Sequence, residues 1–345
     1  MINKIKTKIK LSTVILLAIC LLLVMILPGK MNDYSIRVIN NALIFAIVSY
    51  GLSVMLGMGG QLSFGGLTFM GGGAFAVANL CSGRWGFWMD PVQAMLLSAA
   101  MMALLAFLLG LILLKLTGTY FTFSTIALVQ VSYTFFVNYK PLFGGAGGIT
   151  NIAQMKIFGI EFGNNYYTWF YFLVILVLIV AVIVERIRQT QLGRSLASIR
   201  DNDTAALTFG IDVYRTKVIA FTISGFLGGL AGACYALQMR FTGADMFTYE
   251  RSTLFIIMTM VGGVNNSFGI VVGSLAITVL PELLRDVPGI DRYLQLSYGL
   301  LVIIMMVFMP MGFAGMGSAI SKYIKRKFAS KNSGNNSKEI KEATK

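Results

Sequence analysis

The residue types that do most enzyme chemistry are scarce in this 345-residue chain. Histidine is absent, which removes imidazole metal ligands, Ser-His-Asp triads and histidine proton relays. Cys20, Cys81 and Cys234 lie apart in apolar or Gly-rich surroundings with no CxxC pair, so neither a thiolate metal site nor a disulfide framework is expected. No paired carboxylates and no nucleophile–base set fall within the apolar stretches. No catalytic residue, metal ligand or cofactor bound by this chain is expected. What remains are amides and hydroxyls set among glycines: Gly60, Gln61, Ser63 and Gly65 inside Gly57–Gly66, and Asn265, Asn266 and Ser267 inside Gly262–Gly269. Their chemistry is reversible hydrogen bonding. Unwound backbone at membrane depth is tolerated only inside protein or along a water-filled cavity. Such Gly-broken polar hairpins are therefore candidates for a translocation pathway, with a plain turn as the alternative.

The elements that must hold these residues are apolar. Hydrophobic residues make up 57% of the chain and charged residues 12%, against about 25% charged in ordinary globular proteins. Mean hydropathy is +0.77. The reading is an all-α polytopic membrane protein with about ten segments: roughly 11–27, 38–57, 64–80, 92–115, 119–139, 166–184, 218–238, 248–263, 268–285 and 293–312. A helical span needs about 20 residues, so 64–80 and 248–263 are short and expected to be tilted, discontinuous or re-entrant. The first segment follows a lysine-rich start and lacks a small-x-small cleavage site, so it is expected to be an uncleaved span.

Charge sets the orientation. Of 28 Lys and Arg, 19 lie in the N-terminus, at Lys115, in Glu185–Lys217, or from Lys322 onward. Basic flanks mark the cytoplasmic side, and an even number of spans returns both termini there. The expected organisation is a cytoplasmic N-terminus at 1–10, a transmembrane domain at 11–312 with a cytoplasmic loop at 185–217, and a basic tail at 313–345, disordered at its end. The net charge of +14 thus points to membrane lipid and not to nucleic acid. The same parity puts both Gly-broken stretches on the cytoplasmic side, although both run Gly-Gly, polar residues, then Ser-Phe-Gly as the halves of an inverted repeat would. Charged residues lie only near segment ends. Without a titrating group at mid-membrane, energy for uphill transport is expected from outside the membrane.

The loop at 185–217 is too polar to span. Leu192, Leu196 and Ile199 fall at i, i+4 and i+7, one helical face. Asp203 is expected to cap a second short helix, Thr204–Phe209, ended by Gly210 in a left-handed cap. Such an amphipathic helix suits a partner's groove, or else the lipid surface. Arg200 and Asp201 are expected at the rim of the contact.

Four stretches resemble the permease subunits of Liv-type ABC importers for branched-chain amino acids. They are Leu52–Gly65 with its Gly-Gly-Gln-Leu-Ser-Phe-Gly run, Gly118-Thr119-Tyr120-Phe121, Gly144–Ile149, and Gly193-Arg194-Ser195 through Gly210-Ile211; Val261-Gly262-Gly263, Gly269 and Pro281-Glu282 continue the likeness. Gly66, Thr117 and Asn265-Asn266 depart from the family's pattern. The resemblance implies a permease that pairs with a homologous second permease and two cytoplasmic ATPases, and takes solute from an extracellular or periplasmic binding protein. It implies location in the cell membrane, ATP and magnesium held by the ATPases, and coupling through Arg194, Ser198, Arg200, Asp201, Asn202, Asp203, Ala206 and Gly210. The chain has no GxxxxGK[ST] phosphate loop of its own. Alternatives are a urea or short-amide permease of the same family, or a secondary transporter that needs no ATPase.

Overall fold

In a computed structural model the chain is described over residues 32–285, except Trp85, Phe87, Phe158 and Asn164, and at a few isolated positions between 296 and 303. The expected segments at 11–27 and 293–312, and the tail, lie outside the described residues apart from those positions. The helices in order are α1 (Asp33–Leu52), α2 (Gly66–Cys81), α3 (Pro91–Leu113), α4 (Thr119–Asn138), α5 (Tyr166–Gln189), α6 (Gln191–Asp201), α7 (Asp203–Thr208), α8 (Val213–Met239), α9 (Tyr249–Gly262) and α10 (Ser267–Arg285). The described residues also include a single turn at Lys140–Phe143, short 3-10 turns at Gly145–Gly147 and Ala244–Met246, and a hairpin of two-residue strands, β1 (Lys156–Ile157) with β2 (Ile160–Glu161). On that exposed hairpin the Lys156 hydrogen bond, then its charge, holds the Glu161 carboxyl below its ordinary range.

Five of these helices are long and apolar enough to cross a membrane: Asp33–Met58, Pro91–Leu113, Thr119–Asn138, Tyr166–Gln189 and Val213–Met239. α2, with 16 residues, and α9, with 14, are short as expected; at about 1.5 Å per residue neither reaches the ~30 Å of a hydrocarbon core.

α8 sits at the centre, packed on α1, α2 and α3. Its glycines explain the closeness. A Cβ at Gly232 would overlap the Met70 carbonyl, and one at Gly225 would overlap the Ala106 methyl. Small residues let helix backbones approach where lipid supplies no hydrophobic drive between helices. α1 continues into a six-residue π-helix, Ser53–Met58, and then loses helical form altogether until Gly66. A π turn shifts side-chain register and is frequent at functional sites.

The helix ends fall into two groups. At one end Tyr214 donates to the Leu111 carbonyl (2.6 Å), and α6 lies against the π turn. At the other, Tyr34 donates to Glu282 (2.5 Å), Arg240 reaches the Ile152 carbonyl, and Ile149 bridges Thr242. Alternating spans would produce this grouping.

Candidate functional site

The unwound stretch between Gly59 and Gly65 is where the sequence placed its first candidates. Its backbone is satisfied from neighbouring elements. Thr122 of α4 donates to the Leu62 carbonyl (3.1 Å), the Phe64 N–H donates to Thr125 Oγ1 (3.2 Å), and Ser252 of α9 donates to the Phe64 carbonyl (2.7 Å). Ser63 is buried and its hydroxyl accepts from the Gly65 N–H that opens α2. The Gln61 side-chain oxygen is buried with no partner among the described residues. A buried amide oxygen left unpaired costs about 1–3 kcal/mol, so Gln61 holds hydrogen-bonding capacity the resting fold does not use. Gly60 adopts φ +66°, and Arg200 lies against it where a Cβ would stand. Thr122, Thr125 and Ser252 were not singled out from sequence; hydroxyls in apolar helices carry no signal of what they face.

The second polar stretch divides. Asn265, with its amide oriented to satisfy both neighbours, donates to the Gly57 carbonyl (2.9 Å) and accepts from Arg200 Nη1 (3.0 Å). Arg200 Nη1 also donates to Gly57 O (2.9 Å). Asn266 and Ser267 do other work: Asn266 Oδ1 accepts from the Gly269 N–H (3.1 Å) in the first turn of α10, and Ser267 donates to Glu185 Oε2 (3.1 Å) at the end of α5. Asn265 is therefore the residue of this group that the structure joins to the first stretch. Gly57–Gly60 and Asn265 sit at one end of the bundle, beside α6.

Arg200 also has partners within this chain. Its guanidinium turns inward onto Gly57 and Asn265, although Asp201 also pairs with it at 3.3 Å. One nitrogen, Nη1, reaches both the Gly57 carbonyl and the Asn265 side-chain oxygen, while Nε and Nη2 face Asp201. The apolar face of α6 is also spoken for. Leu196 and Ile199 are buried within this chain, Leu196 against Gly59, so this face is open neither to a partner's groove nor to lipid.

The remaining coupling candidates build one compact unit. Arg194 donates to the Gln189 carbonyl (2.8 Å) across the α5–α6 corner, and the exposed Ser198 donates to the Arg194 carbonyl. Asn202 caps α7, its side chain accepting from the Ala205 N–H (3.0 Å); Asp203, expected in that role, is instead the first helical residue and pairs with Lys217 of α8 (2.7 Å). Asn202 has the extended backbone a cap requires, which leaves Asp203 free to reach Lys217. Ala206 is buried. Gly210 takes φ +77°, and the Ile211 and Gly210 N–H groups bond the Ala206 and Leu207 carbonyls, a left-handed terminal cap as expected. This cap leaves Leu207 and Phe209 bare. Phe209 is 84% exposed, the highest among the large apolar side chains described. Sequence reading passed over it, and the available signal was two large apolar residues in an otherwise polar stretch.

Residues 34–309 match the family model described as the permease component of the branched-chain amino acid transport system. That is most of the chain. The chain belongs to the branched-chain amino acid ABC transporter permease family. It is 29% identical over 313 residues to the high-affinity branched-chain amino acid transport permease LivM of Salmonella typhimurium, covering 84% of this chain and 72% of that protein. LivM of Escherichia coli is 28% identical over 314 residues, with the same coverage. The fructose import permease FrcC of Rhizobium meliloti is similar over a shorter stretch, 29% over 163 residues, covering 45% of this chain and 44% of that protein. No solved structure matches. As a permease of this family the chain is a membrane-embedded transport subunit, and the two candidate polar stretches meet at Arg200, Gly57 and Asn265.

Proposed function

We propose that the chain translocates leucine, isoleucine and valine across the cell membrane as one permease of an ABC importer. In this reading it crosses the membrane about ten times, has both termini in the cytoplasm, and pairs with a homologous permease. Two cytoplasmic ATPases supply ATP hydrolysis, with ATP and magnesium held by them, and a binding protein delivers solute from the opposite side. The α6–α7 unit faces the ATPases through Phe209 and Leu207. Closure of the ATPase pair moves that unit, and Arg200 passes the movement to the π turn and to the α9–α10 turn together. The unwound stretch carrying Gln61 and Ser63 then shifts relative to α4 and α9, which opens and closes the solute route.

The observation that carries this reading is the three-way junction of Arg200 with Gly57 and Asn265, which ties a polar surface helix to both Gly-broken stretches. The test is solute-stimulated ATPase activity of the reconstituted complex, screened over leucine, isoleucine, valine, urea and fructose. Stimulation by the three branched-chain amino acids is expected. Stimulation by urea or fructose alone would overturn the substrate assignment, and the likeness to a fructose permease over part of the chain makes that comparison pointed.

A further inference from the structure

Among the five helices long enough to span, burial and hydropathy run in opposite directions, with one exception. The central α1 with its π turn and α8 are 83% and 78% buried over their most apolar windows and have mean hydropathies of 1.8 and 1.7. The peripheral α3 and α5 are 28% and 33% buried and more apolar, at 2.6 and 2.7. Their outward residues, such as Leu104 and Ile175, are those of a lipid-facing surface. α4 breaks the rule. It is the least buried of the five, at 22%, and also the least apolar, at 1.3.

Three polar side chains of α4 lie on its open side. Phe121, Thr125, Val129 and Phe136 form the buried face. Gln130, Thr134 and Asn138 fall at i, i+4 and i+8, and all three are exposed. They line an open groove of about 430 Å³ with Val131, Phe135 and Tyr139. Thr134 and one Asn138 donor are bonded to carbonyls one turn back, but the Gln130 amide and the Asn138 carbonyl have no partner among the described residues. Two amides on a lipid-facing surface would each forfeit hydrogen bonds to hydrocarbon, whereas polar groups in spanning helices turn to the protein interior or to water.

We infer that Gln130, Thr134 and Asn138 line a water-filled vestibule on the binding-protein side of the solute route. This rests on the permease reading above, which sets the C-terminal end of α4 on that side. The ligand class is a zwitterionic amino acid. Neutral amides can donate to its carboxylate and accept from its ammonium, and because they carry no charge they hold it weakly enough to release it inward. Val131, Phe135 and Tyr139 give its apolar side chain a wall.

The test uses the full complex in intact cells, built with a chain in which Cys20, Cys81 and Cys234 are replaced by alanine. Single cysteines are introduced by Gln130→Cys, Thr134→Cys and Asn138→Cys, with Leu104→Cys and Ile175→Cys as lipid-facing controls, and assembly is followed by co-purification. A membrane-impermeant, water-soluble thiol reagent added outside should label the three stripe positions at least tenfold faster than the controls, and saturating leucine should slow that labelling severalfold. Stripe thiols as inert as the controls in assembled complexes would overturn the inference. Uptake by the cysteine-free complex is measured alongside. Inert thiols with active leucine uptake refute the vestibule and leave the import reading standing, whereas labelled thiols without uptake of any branched-chain amino acid leave the water-filled groove standing and refute the import reading and the amino-acid ligand with it.

Discussion

At the scale of single residues, the arrangement turns on Arg200. Its two oxygen partners belong to stretches more than two hundred positions apart in sequence, and no spacing rule could have joined them. The residue itself was visible as part of a polar helix, but its direction was not. A surface helix can aim an arginine outward or inward, and the π turn that bares the Gly57 carbonyl decides it. Arg200→Ala removes charge-assisted bonds worth on the order of 1.5–3 kcal/mol together, towards the lower end because the side chain is 37% exposed. The expected phenotype is an assembled complex with ATPase activity that no longer responds to solute and uptake reduced about tenfold. Arg200→Lys keeps the charge but lacks the nitrogens that pair with Asp201, so it should recover only part of it. Gln61 is the second residue-level test. Gln61→Leu with Ser63→Ala removes the unused amide and one buried hydroxyl, and uptake should fall while co-purification with the ATPase is kept. Uptake equal to wild type would return the stretch to a plain turn.

At the scale of elements, the α6–α7 unit was half legible. The spacing of Leu192, Leu196 and Ile199 announced the helix and its apolar face, and Gly210 announced its end. The destination of that face was hidden, because periodicity states that a face must be buried and not against what. The structure spends it on the chain's own π turn, which leaves Phe209 and Leu207 as the free apolar contacts. Phe209→Ala should therefore weaken ATPase association by about 1.5–3 kcal/mol, ten- to hundredfold in dissociation constant, without altering the membrane helices. Gly210→Val should do as much by a different route. A β-branched residue at φ +77° is strained, so the cap opens and the Phe209 backbone loses its fixed direction. Co-purification titrations of both variants read the effect, and a Gly210→Val chain that binds and transports normally would demote α7 to an incidental surface turn.

At the scale of the whole molecule, the apolar runs between 38 and 285 anticipated eight helices within a few residues, because long apolar stretches in a membrane leave the backbone no alternative to helix. The tilt and centrality of those helices were not available from one sequence, since lipid-facing and buried apolar residues look alike. The central place of α8 shows only in its glycines, whose Cβ positions are filled by neighbouring helices. The contacts at each end of the bundle agree with alternating passage, and the proposed orientation places the basic flanks in the cytoplasm. A Ser198→Cys chain should accordingly react with impermeant reagent only from the cytoplasmic face, and Lys156→Cys only from the opposite face; the reverse pattern would invert the topology.

ATP-driven uptake of labelled leucine into sealed vesicles containing the complete complex is the most direct test of import coupled through the Arg200 junction. Wild-type vesicles should accumulate leucine when ATP is supplied on the ATPase side and the binding protein on the other, with no ion gradient imposed, and Arg200→Ala vesicles should hydrolyse ATP while accumulating about tenfold less leucine. Accumulation driven by an ion gradient in the absence of ATP, or full accumulation by the Arg200→Ala complex, would contradict it.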